Sequence, residues 1–117
     1  MLWFHQYWVY VAVVATGIVG LWGIGLAVAK RSPGRAFSIG RGLAIAAMLI
    51  QVLAGVVLYL TGERPPAFHV FYGIVILFTL SFAYIYRVQL DRRPGLFYGL
   101  LLLFVMGLGI RAWLQVL

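Results

Sequence analysis

The chain has 117 residues, 65% of them hydrophobic and 9% charged, with a net charge of +7 and no cysteine. So little polar surface excludes a water-soluble domain and points to an integral membrane protein. The missing cysteine excludes a structural disulfide and membrane thiol–disulfide chemistry.

The first apolar stretch runs from about Trp3 to Ala29, with His5 at its start. Ala27-Val28-Ala29 resembles a cleavage site, but no basic region precedes it and the stretch is too long, so a cleaved signal peptide is not expected. A basic loop follows, with Lys30, Arg31, Arg35 and Arg41. The second stretch covers about 43–60 and carries Gln51 near its middle, where an amide is expected to donate a hydrogen bond to another helix. The second loop, Thr61 to Pro66, holds Glu63 and Arg64. Pro65 and Pro66 fix the approach to a third stretch, about 68–86, which His69 opens. The third loop carries Arg87, Asp91, Arg92 and Arg93, and the fourth stretch covers about 96–113, with Arg111 near its end.

Each stretch is near the roughly 20 residues that span a bilayer as helix. The runs are continuous rather than alternating, which argues against the strands of an outer-membrane barrel. The fold class expected is therefore all-α: one domain over 1–117, an integral membrane four-helix up-down bundle with short connections.

Seven of the nine Lys and Arg residues fall in the first and third loops. The positive-inside rule assigns those loops to the cytoplasm and both termini to the outside of a plasma membrane, bacterial or archaeal. The net charge then reads as a topology signal with contact to anionic lipid, and not as nucleic-acid binding.

The outer end collects His5, Glu63, Arg64, His69 and Arg111, nearly every titratable group outside the basic loops. Charged or ionisable groups at membrane depth are costly enough to mark function. Ala12, Thr16 and Gly20 lie beneath His5 on one face, Gly73 lies one turn below His69, and Gly99, Leu103, Gly107 and Arg111 form a row on the fourth helix. Such small residues serve close helix packing or admit a flat macrocycle between helices, and spacing alone does not choose. Two imidazoles at one depth could hold a haem between them as metal ligands. His5, beside Trp3, Tyr7 and Trp8, also suits an interfacial aromatic belt, and Arg111 could snorkel outward or meet a propionate.

The segment QVLAGVVLYLTGERPPAFHVFYG, Gln51 to Gly73, resembles a stretch of haem A synthases: a helix, a Leu-Thr-Gly exit, a short outer loop and a helix opening on a ligand histidine. Phe4-His5-Gln6, the long first helix and Lys30-Arg31 are similar to the family's Glu-x-x-His-Arg helix. The resemblance covers about the first three helices, one half of a synthase. It implies axial ligand roles for His5 and His69; the haem reading itself sets Gly73 beside the cofactor and Arg111 or Arg64 near the propionates. Leu2 stands where the family motif has glutamate, Gln6 where it has arginine, and the outer-loop cysteines are absent, so oxidation of a haem methyl group does not fit this chain.

Two carboxylates on opposite sides leave no acid–base pair and no carboxylate metal site. The function expected is thus a small bis-histidine haem b protein for electron transfer or haem handling. The alternative is a cofactor-free structural subunit of a larger respiratory or photosynthetic membrane complex. A quinone site using His69, Tyr72 and Arg111 is a third reading. A homodimer could imitate the eight-helix arrangement of a full synthase.

Overall fold

A computed structural model describes residues 2–117. It contains helices α1 (Leu2–Val28), α2 (Arg35–Leu60), α3 (Ala67–Ile85), α4 (Arg87–Leu90) and α5 (Pro94–Leu114), and no strand among the described residues. Four of these, all but α4, are long and apolar enough to cross a membrane.

Local sequence explains the breaks. Lys30 takes the left-handed conformation (φ 54°) after α1, and Arg31 N–H closes back on the Leu26 carbonyl at 2.9 Å. That 6→1 bond caps carbonyls the helix leaves unpaired, here with lysine in a place glycine usually fills. Gly62 (φ 107°) does the same for α2, with Glu63 N–H bonded to the Leu58 carbonyl at 3.0 Å. Pro94 stands in the first turn of α5, where its missing N–H costs nothing.

Two boundaries differ from the sequence expectation. Helix α2 begins at Arg35, not near residue 43, because Phe37 is fully buried and packs edge-on against Trp22 at 5.5 Å. Apolar docking extends the helix through a segment whose arginines make it look like loop. The third loop also contains the unanticipated single turn α4.

The most extensive helix pairing is α1 with α5, followed by α1 with α2 and α3 with α5. Glycines allow the first. A Cβ on Gly23 would lie 2.6 Å from the Gly95 carbonyl oxygen, and one on Gly99 would lie 2.9 Å from the Gly20 carbonyl oxygen. The obstructing atoms are backbone, so neither helix can yield without moving as a whole. Beside this seam Val19, Phe37, Ala44, Tyr98 and Leu102 form one buried cluster; Ala12, Met48, Val52, Ile76 and Val105 belong to the other. Trp8 Nε1 donates to the Ala47 carbonyl at 2.8 Å and ties α1 to α2. The fully buried Thr16 hydroxyl is satisfied within its own helix by the Ala12 carbonyl at 2.8 Å.

Gly23→Ala is expected to destabilise the protein by about 1–3 kcal/mol, the usual cost of overpacking. Gly25, whose Cβ position is open, supplies the control: Gly25→Ala leaves thermal unfolding in detergent unchanged or slightly raises the midpoint, since alanine is the better helix former.

Candidate ligand cavity between two histidines

The chain places His5 in the first turns of α1 and His69 in the first turn of α3, and the fold brings them to one end of the helix assembly. Their ring centroids are 6.1 Å apart, with the ring planes at 85°. Both line a cavity of about 820 Å³ walled by α1, α2, α3 and α5. The lining reaches Val13 on α1, Met48 on α2, Leu77 on α3 and Gly109 on α5, and Glu63 and Arg64 contribute from the α2–α3 loop.

His69 is oriented by two features of its surroundings. The Gly62 turn and Pro65-Pro66 deliver it as the third residue of α3, where its N–H bonds the Pro66 carbonyl at 3.0 Å. Its Nδ1 lies 2.7 Å from the Ala112 carbonyl oxygen. A carbonyl only accepts, so Nδ1 carries the proton and Nε2 keeps its lone pair. Ala112 is in the last turn of α5, where carbonyls lack a partner four residues on.

His5 is held differently. Gln51 Nε2 donates to the His5 backbone carbonyl at 2.9 Å, so the amide does act between helices as its mid-helix position suggests. A Cβ on Gly55 would lie 3.0 Å from His5 Cε1, which means glycine makes the space for the imidazole. Among the described residues two buried polar side-chain atoms remain without a protein partner, His5 Nδ1 and Gln51 Oε1. An uncompensated polar atom in such a place costs about 1–3 kcal/mol and is commonly a sign of a functional role.

Of the other residues expected at the site, Gly73 lines the cavity with open space on its Cα, and Arg64 stands at the α2–α3 loop. Arg64 donates to the Tyr59 carbonyl and its guanidinium lies 3.9 Å above the Tyr59 ring centre. Arg111 is apart from this group: it does not line the cavity and instead donates to Tyr72 Oη at 3.0 Å. The reason is helical phase. Ala112 presents its carbonyl to His69, and the Arg111 side chain, one residue earlier, leaves α5 on another face. The expectation of an interhelical bond from Gln51 did not extend to its partner or to Gly55, and the two residues bracket His5. The available signal was their position opposite His5 in two helices joined by one loop.

Gln51→Leu removes the bond to the His5 carbonyl and should cost roughly 0.5–1.5 kcal/mol of stability, read as a lowered unfolding midpoint in detergent. An unchanged midpoint would show that the interhelical bond contributes nothing net. No family model, curated protein or solved structure matches this chain.

Proposed function

We propose that the chain is an integral membrane protein, an up-down four-helix bundle that holds a haem b between His5 and His69 and transfers electrons. The observation that carries the reading is the 6.1 Å between the imidazole centroids. Two imidazoles ligating one metal from opposite sides through bonds of about 2.0 Å would have their ring centres about 6 Å apart, each nitrogen lying roughly 1 Å from its ring centre.

The donor set supports a macrocycle over a bare ion. Among the described residues no group of three or more His, Cys, Asp or Glu comes together, and two protein ligands suffice where a porphyrin supplies the other four. The cavity, about 820 Å³, is within the size range of pockets for small organic ligands. An axial imidazole keeps a proton on its free nitrogen, and that proton needs an acceptor. Ala112 serves His69. His5 Nδ1 has no such acceptor; Gln51 meets His5 only at the backbone carbonyl, and its own Oε1 is likewise unpartnered. Arg64, which lines the cavity, is the cation that would meet propionates; Arg111 does not line it.

His5 and His69 would hold the haem, which would supply a one-electron couple. The likeness to one half of a haem A synthase supports cofactor binding, while Leu2 and the missing cysteines separate the chain from that family's oxidation chemistry.

Topology has its own support. The Arg41–Asp91 pair, 3.4 Å apart, joins the start of α2 to the loop before α5, so the seven basic loop residues share the end opposite the histidines. The positive-inside rule makes that end cytoplasmic and the histidine end external.

A second reading, a structural subunit without cofactor, is favoured by the outer face of α3, where Phe68, Phe71, Phe78 and Phe82 stand exposed. The same face would serve a homodimer.

The purified protein is expected to show a reduced α band of b type that is lost in His5→Ala and His69→Ala. A colourless protein that binds no added haemin removes the haem reading and leaves the structural one. Because the chain has no cysteine, single introduced thiols report sidedness: an impermeant maleimide on intact cells should label Glu63→Cys and spare Arg31→Cys. The reverse labelling pattern overturns the orientation.

A further inference from the structure

We propose that a second site, formed by α3 and α5 and sharing no residue with the histidine cavity, binds an anionic phospholipid. It rests on the membrane reading above and is independent of haem.

A groove of about 670 Å³ runs beside Tyr72, Leu103, Phe104, Gly107, Leu108 and Arg111. Arg111 stands at its outer end, exposed, with Nη2 donating to Tyr72 Oη at 3.0 Å and its guanidinium 5.6 Å from the Tyr72 ring centre. Among the described residues no carboxylate pairs with it; the one ion pair is Arg41–Asp91 at the other end. Gly107 and Leu103 follow at one and two turns below Arg111 on the same helix face. No heavy atom lies within 4 Å of a Cβ position on Gly107, so the glycine leaves a slot where a side chain would close the groove.

The arrangement is amphiphilic along the bilayer normal. A cation with free donors sits at the depth of the headgroups, and an apolar slot descends from it toward the middle of the membrane. Guanidinium matches the paired oxygens of a phosphate, and the Tyr72 hydroxyl offers a further donor once Arg111 turns to the ligand. A net-anionic headgroup is favoured over a zwitterionic one because the cation is uncompensated. A choline ammonium would meet no acid there.

Native mass spectrometry of the full chain, released from micelles doped with phosphatidylglycerol or with phosphatidylcholine of the same acyl chains, tests this. The wild type should retain one more phosphatidylglycerol than Arg111→Gln, with roughly tenfold weaker occupancy in the variant. Gly107→Leu should lose that same lipid although Arg111 is intact, and Arg31→Gln should leave the Arg111-dependent lipid in place. Circular dichroism confirms that the variants remain helical; if one does not, the other carries the test. Equal retention of phosphatidylcholine at the Arg111-dependent position, no change in Arg111→Gln and Gly107→Leu, or displacement of the lipid by inorganic phosphate alone would each overturn the proposal.

Discussion

The close approach of α1 and α5 is the constraint on which the rest of the molecule depends. Gly20 and Gly23 face Gly95 and Gly99 so tightly that an added methyl on either side would strike backbone oxygen. On the membrane reading proposed above, apolar helices gain little from associating in lipid, and backbone-to-backbone packing of this kind supplies the attraction. Around the seam, large side chains fill what the glycines leave: Phe37 beneath Trp22, and Leu102 fully buried between the helices.

That closure at one end gives the other end its character. The cavity takes in only the outer portions of the helices, α1 up to Val13 and α5 from Gly109 onward. Around the histidines two polar groups are fixed: His69 Nδ1 on the Ala112 carbonyl and Gln51 Nε2 on the His5 carbonyl. The two atoms left over, His5 Nδ1 and Gln51 Oε1, are a donor-capable nitrogen and an acceptor in adjoining residues. The histidines thus differ. His69 is fixed by protein alone, whereas His5 has a partnered backbone and an unpartnered ring.

Charge separates the two ends as sharply as packing does. Arg41 lies 4.0 Å over the Tyr98 ring and pairs with Asp91, and Arg87 donates to the Tyr84 carbonyl at 2.8 Å, so part of the basic end is bound into the fold. Among the described residues the side-chain cations at the histidine end are Arg64 and Arg111, and each rests against a tyrosine. They address different spaces, Arg64 the cavity and Arg111 the outer groove of α3 and α5.

Sequence by itself determined the helical class, the four apolar stretches and the shared end of His5 and His69, because continuous hydropathy, loop punctuation by Gly62 and Pro65-Pro66, and the segregation of basic residues are all local properties. Tertiary structure decided what local properties do not encode. The start of α2 at Arg35 depends on Phe37 finding Trp22, and the exclusion of Arg111 from the cavity depends on the rotation of α5 about its own axis. Gln51 is legible as an interhelical donor, but its partner, the His5 backbone, and the room Gly55 makes for the ring appear only when α2 is set against α1. Helix phase relative to a neighbour is fixed by the whole set of packed side chains, and no single stretch of sequence carries it.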